Sequence, residues 1–345
     1  MYGIICRSLI RIGQWAYNYY TAFWLALLTY IVLLTSNIIS EGSLYVSFFL
    51  TIIAIALLIS ICLKSRKIHT YLGKKHLKYR FELSSIAVLD GRISDKDSHY
   101  NIPGDIIYLP QNWKDQLESE ELKVDLIPIS KISKKYSMII NPFGSYYIEE
   151  DITNLKTLYK IKDYIHWGGV FINTWNLAFW ESWNPRDNLK NTTSPSVVSY
   201  ILDSSPWSIE EANHRFSQIP LKPIISGFSL LNTWLYKNFG VRTTFFEHPI
   251  SMKMTPAIEF LQNIGEICIT EFRSALNSEN NQMKFYRLMS ARLDKNHECY
   301  PVAAINYYLG YLVLFGTAIT NNDEFNYECK IIKKLYDKFS KHESF

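Results

Sequence analysis

No two cysteines in this chain stand two residues apart. Cys6, Cys62, Cys268, Cys299 and Cys329 are isolated, which excludes zinc ribbons and CxxC redox motifs and leaves them as packing residues. The eight histidines are equally scattered: His166 precedes Gly168-Gly169 and His248 follows Glu247, and none has metal-ligand spacing. No metal and no cofactor is expected. Charge is missing altogether between Arg11 and Glu41 and again from Leu44 to Leu63. Mean hydropathy is nevertheless close to zero, so the apolar residues are concentrated in those runs.

The runs 15–39 (WAYNYYTAFWLALLTYIVLLTSNII) and 44–63 (LYVSFFLTIIAIALLISICL) each reach the length of about 20 residues that a membrane-crossing helix needs. A cleaved signal peptide has a shorter apolar core and a small-residue cleavage site, and neither is present. The sequence therefore predicts an N-terminal transmembrane helical hairpin within a membrane module, residues 1–63. Arg7 and Arg11 before it, and Lys64, Arg66, Lys67, Lys74, Lys75, Lys78 and Arg80 after it, place both termini and the large domain on the cytoplasmic side of the inner membrane. Asn18, Thr29 and Ser36 lie on a more polar face of the first run, suited to packing against another helix or, with several copies, to lining a pore. Residues 64–80 form a basic connector able to lie on anionic headgroups, so the net charge of +4 carries no nucleic-acid inference.

From residue 81 the pattern changes to short β runs alternating with helical segments. Ser85–Leu89, Ile106–Leu109, Lys123–Ile129 and Tyr136–Ile140 read as strands. Asn154–Trp167 carries Leu155, Leu158, Ile161 and Ile165 at a helical period, Gly168-Gly169 ends it, and Val170–Asn173 is the next strand. Such a βαβ unit implies a fold of the α/β class, with a Rossmann-like, mostly parallel sheet and helices on both faces, over 81–345. Residues 180–260, rich in loop signals, read as an insertion or cap. Glu266–Leu276 reads as a strand, Pro301–Ile305 and Tyr311–Phe315 as a hairpin, and Tyr327–Phe339 as a closing amphipathic helix.

The strand ending in INPFG, the helix leading to GGVFIN, and the late hairpin PVAAINYYLGYLVLFG resemble the class I glutamine-amidotransferase-like superfamily over about residues 82–340. That resemblance implies a nucleophile elbow after Asn173, but Thr174 and Trp175 stand where a Cys is required. No His-x-Glu follows the late hairpin. It thus implies a non-catalytic relative, not an enzyme. The layout of a short membrane module plus a degenerate sensor domain is similar to that of membrane effectors of bacterial anti-phage signalling systems.

In an open parallel sheet, ligands bind beyond the carboxyl ends of the strands. The residues expected there are Asp90, Arg92, Asn141, Phe143, Gly144, Thr174, Trp175 and Asn176. Asn141 offers an amide and Gly144 close backbone approach. A helix after Gly144 would present N–H groups to an anion, Arg92 would pair with phosphate, and Trp175 would stack on a base. Turn chemistry explains Asn141–Gly144 equally well, and core packing explains Trp175. Glu149, Glu150 and Asp151 read as a solvated helix N-terminus. The leading expectation is an oligomeric membrane effector of anti-phage defence, an ion channel gated by a small anionic, nucleotide-derived ligand. Two rivals stand beside it. One is a membrane-anchored hydrolase of a nucleotide or glycosidic substrate using Asp90, Glu181 or Glu247; the other is a membrane scaffold for a protein partner.

Overall fold

The computed structural model of the protein describes residues 85–341 apart from 99, 153–155, 176–177, 180, 192–226, 231–234, 236–237, 279–283 and 293–297. The runs 15–39 and 44–63, with Asn18, Thr29 and Ser36, and the connector 64–80 lie outside the described residues. So do Asn176 and the segment 192–226.

Three four-residue runs, IAVL, MIIN and VFIN, form β1 (Ile86–Leu89), β3 (Met138–Asn141) and β5 (Val170–Asn173), each buried throughout. A strand covered on both faces has no position for a solvated side chain, so its sequence reads as a continuous apolar run. β2 (Val124–Ile127), β1, β3 and β5 pair in parallel, and β13 (Gly310–Phe315) adds to β5 in the same direction.

Beyond β13 the direction alternates. β12 (Glu298–Tyr307), β11 (Lys284–Arg292), β9 (Val241–Pro256), β10 (Ile267–Ser278) and β14 (Thr317–Ala318) pair antiparallel in turn, with β8 (Gly227–Leu230) against β9. The resulting order is β14-β10-β9-β11-β12-β13-β5-β3-β1-β2. A small second sheet, β4-β6-β7, is built from Tyr146–Ile148, Glu181–Asn184 and Leu189–Asn191.

Side chains alternate between the two faces of the main sheet. Val88, Ile140, Ile172 and Val313 pack on one side with Trp113 and Leu117 of α1 (Pro110–Ser119) and Phe325, Ile331, Ile332, Leu335 and Phe339 of α3 (Asn322–Ser340). Tyr108 stacks on Phe325 at 4.1 Å and Trp113 meets the same ring edge-on at 4.8 Å, joining α1 to α3. Ala87, Ile139, Phe171 and Leu314 pack on the other side with Leu158, Ile161 and Ile165 of α2 (Lys156–His166). Burying each such aliphatic side chain contributes roughly 1.5–3 kcal/mol.

The close approach of α2 to the sheet is set by Gly310. A Cβ there would stand 2.2 Å from the Gly169 carbonyl oxygen and 2.3 Å from that of Ile165.

Several sequence expectations are corrected. The sheet is mixed rather than mostly parallel, because the long strands β9–β12 pair antiparallel. Ile106–Leu109 is a loop, not a strand. β9, expected within an insertion or cap, belongs to the main sheet. Gly144 leads into strand β4, not into a helix. No helix among the described residues is long and apolar enough to cross a membrane, and the N-terminal hairpin forms no part of the described fold. The inner-membrane, multi-pass location and the ion-channel reading rest on residues outside the described ones, find no support in the described fold and are not carried further.

Candidate functional site

The chain leaves β1 for β2 on one side and returns to β3 on the other, so the strand order reverses between β1 and β3. At such a reversal the connections diverge and leave a crevice beyond the carboxyl ends of the strands. Five of the predicted residues meet at its floor. Asn141 ends β3 and Asn173 ends β5, in register.

The Asn141 Nδ2 donates to Asn173 Oδ1 at 2.8 Å and to the Tyr146 carbonyl at 2.9 Å. Asn173 Nδ2 donates in turn to the carbonyls of Gly144 at 2.8 Å and Thr174 at 3.0 Å. Thr174 Oγ1 donates to the Asn141 carbonyl and Trp175 Nε1 to that of Pro142. Phe143 is fully buried against Trp183 at 5.3 Å. Gly144 has φ of 60°, and a Cβ on it would lie 2.6 Å from the Trp175 ring, so both its backbone conformation and its small size are required.

The polar groups of this floor are directed at one another, which makes it a stitch between strand ends rather than an open cradle. Asp90 and Arg92, just past the end of the neighbouring strand β1, take no part in these bonds and are joined to each other through Arg92 Nε and Nη2 to Asp90 Oδ2 at 2.9 and 2.5 Å. That hydrogen bond raises the Arg92 pKa above its ordinary value and already occupies the guanidinium expected to bind phosphate.

The chemistry gathers one step above the floor, in the segments that leave β1, β3 and β5. Tyr146 opens β4, Asp105 lies in the loop after β1, and Glu181 and Lys190 lie on β6 and β7. Tyr146 Oη donates to Asp105 Oδ2 at 2.9 Å and accepts from Lys190 Nζ at 3.1 Å, and Lys190 stands 3.7 Å from Asp105. Glu181 faces the same hydroxyl.

Burial pushes the Glu181 carboxyl above the usual range; Asp105 adds to this, while Lys190 and Tyr146 oppose it. Burial, with Asp105 and Glu181 alongside, also raises the Tyr146 phenol, which therefore stays protonated. Tyr146 is buried, whereas the Asp105 side chain is 53% exposed, so the cluster opens to solvent on the Asp105 side.

Bonds between distant segments hold it together. Asn101 N donates to the Pro185 carbonyl at 3.0 Å, and Arg186 bridges Asp97 at 2.8 Å and Glu150 at 2.9 Å. Glu149, read from sequence as solvated, is buried. Its Oε1 accepts from the Thr157 N–H at 2.7 Å in the first turn of α2, and burial raises its pKa to about 7.

Of the rival catalytic candidates, Glu181 is the one in this cluster. Asp90 is held by Arg92, and Glu247 lies on β9 with its side chain outside the described residues. Asp105, Tyr146 and Lys190 were missed in the sequence because they come from three separate segments with no shared motif. Among the described residues no group of His, Cys, Asp and Glu forms a metal site.

No protein-family model matches the chain, and no curated protein matches it. Solved structures similar to it include a β-galactosidase from Bacillus circulans sp. alkalophilus, with a TM-score of 0.43 and 11% identity over 74% of this chain and 31% of the other. The exo-β-1,4-mannosidase Op5Man5 from Opitutaceae bacterium strain TAV5 gives a TM-score of 0.36 at 10% identity, covering 75% of this chain and 35% of that one. The cytoplasmic protein STM1381 from Salmonella typhimurium LT2 gives 0.39 at 12%, covering 74% and 99%. The match spans about a third of the length of the two glycosidases.

The resemblance to the amidotransferase-like superfamily expected from the sequence has no counterpart among these three structures. The named structures are not amidotransferases, and no membrane effector of anti-phage defence is among them. The expectation of a non-enzyme rested on that resemblance alone and is withdrawn with it.

Proposed function

We propose that the chain is a hydrolase that cleaves a glycosidic bond at the cluster of Asp105, Tyr146, Glu181 and Lys190. The observation that supports this reading is the unequal environment of two carboxyls around one phenol. Acid–base cleavage of an acetal needs one carboxyl that still holds its proton near neutral pH and a second that acts as base or nucleophile. Glu181, shifted upward by burial, suits the general acid that protonates the leaving oxygen. Asp105, half exposed and bonded by the Tyr146 hydroxyl, suits the second role, either activating water or attacking the anomeric carbon.

Tyr146 and Lys190 then act on orientation. The phenol accepts from the ammonium and donates to Asp105, which fixes the carboxylate plane. The Asn141–Asn173 floor enters through the backbone, since Asn141 holds the carbonyl of Tyr146. The predicted floor residues thus position the site rather than touch the substrate.

The test is turnover of a panel of aryl glycosides by the full-length chain and by Glu181→Gln and Asp105→Asn. A general acid or base contributes about 10²–10⁴-fold, so each variant is expected to lose that much while folding normally. An aglycone whose oxygen leaves readily should restore Glu181→Gln selectively, because it needs no proton. Absence of wild-type turnover across the panel, or wild-type rates in Glu181→Gln, rules the assignment out.

A further inference from the structure

On the face of the main sheet opposite α2, α3 carries a buried carboxyl with one oxygen unsatisfied. Glu328 is 2% exposed. Its Oε1 accepts from Thr317 Oγ1 at 2.5 Å, and its Oε2 has no hydrogen-bond partner. The neighbouring carboxylate on the same helix, Glu324, is provided for very differently. It accepts from the Thr270 N–H and hydroxyl and from the Thr320 N–H and hydroxyl, and these bonds outweigh its burial and hold it below the usual range.

Among the described residues no cation acts on the Glu328 carboxyl. Thr317 reaches it from β14, and Glu324 opposes its ionisation from one turn away. Cys329 beside it is a buried thiol raised by burial, Glu328 and Glu120. On β10, Glu271 lies opposite Ala318 and Phe272 opposite Thr317, Arg273 follows Phe272 with its side chain outside the described residues, and Glu266 faces Tyr327. The described side chains around Glu328 are all acidic or neutral.

An isolated buried carboxylate costs far more than a neutral acid that lacks one hydrogen bond. We infer that α3 is a clamp that alkaline pH releases: Glu328 docks the helix onto Thr317 of β14 only as the neutral acid, and losing its proton undocks that turn. Burial sets the change at about pH 8. The sign follows from the upward shift. The neutral acid's contribution is complete below the ordinary carboxylate range and is lost as pH rises through the folded value. The inference is independent of the proposed hydrolase site.

The test is thermal unfolding of the full chain and of Glu328→Gln between about pH 6 and pH 9.5. Gln reproduces the neutral acid, so the variant should unfold within a few degrees of wild type at the acidic end. Wild type should fall by several degrees more than the variant at the alkaline end. Parallel pH profiles for the two proteins overturn the inference. If Glu328→Gln does not fold, amide exchange in wild type replaces it. After correction for base catalysis, protection in α3 must drop on alkalinisation while β1 and β3 keep theirs; uniform protection overturns it equally.

Discussion

Replacing Asn141 by Ala should separate the floor of the crevice from its walls. Two acceptors lose a donor held within 3 Å, Asn173 Oδ1 at 2.8 Å and the Tyr146 carbonyl at 2.9 Å, and Asn141 and Asn173 are 1% and 0% exposed, so water does not replace it. Leaving a buried polar group without its partner costs about 1–3 kcal/mol. The pair predicts a loss of roughly 2–5 kcal/mol, a large share of the 5–15 kcal/mol that ordinary domains possess. Urea unfolding followed by tryptophan fluorescence reads this as a lower midpoint at unchanged slope.

The double variant with Asn173→Ala sharpens the test. Removing both amides deletes the orphaned Asn173 Oδ1 but frees the Gly144 and Thr174 carbonyls, so the double variant should lose less than the sum of the two single losses, a coupling of about 0.5–3 kcal/mol. A single-variant loss below about 0.5 kcal/mol, in the range of an inert surface change, would falsify the stitch between β3 and β5.

Three further outcomes follow from the geometry. In the proposed reaction Glu181 must be protonated, so turnover should fall as pH rises through its elevated pKa; measured rates that climb steadily with pH contradict its role as acid. Gly310→Ala places a methyl carbon 2.2 Å from a backbone oxygen, and a loss of about 3 kcal/mol or more in chemical unfolding is expected; near-neutral stability means α2 does not sit that close. Glu149 has a folded pKa raised to about 7, so its contribution is complete at acidic pH and is lost as pH rises through that value. Glu149→Gln keeps an oxygen for the Thr157 N–H and should flatten that part of the stability profile; an unchanged slope assigns it elsewhere.

The legible half of the fold is the half made of short, fully buried strands. IAVL, MIIN and VFIN admit few other readings, and Leu158, Ile161 and Ile165 mark α2 by period. In the antiparallel half β10 and the β12–β13 hairpin were legible, whereas β9 was hidden for a physical reason. β9 reads VRTTFFEHPISMKMTP, with two prolines and charges of both signs, so its apolar residues follow no clean alternation. α1, PQNWKDQLES, buries only Pro110, Trp113 and Leu117, too few for a period to emerge.

At the crevice, the strand-end asparagines could be placed from sequence but their partners could not. An amide that meets another amide looks identical, in one dimension, to an amide awaiting a ligand. Glu181 was singled out without its context, because Asp105 and Tyr146 reach it only through pairing in the small sheet.

The place of β13 bears on how the chain is made. It stands inside the sheet, between β5 and β12, yet it is among the last strands to be synthesised. Until Gly310–Phe315 emerges, β5 presents an unpaired edge of three apolar residues and Asn173, and the β2-β1-β3-β5 block waits through more than a hundred residues for its neighbour. Such late, long-range pairing is slow, and an open edge in the meantime is a template for other chains. Nascent or truncated forms ending before Gly310 should therefore depend on chaperones and aggregate through β5, whatever the full-length protein's final stability.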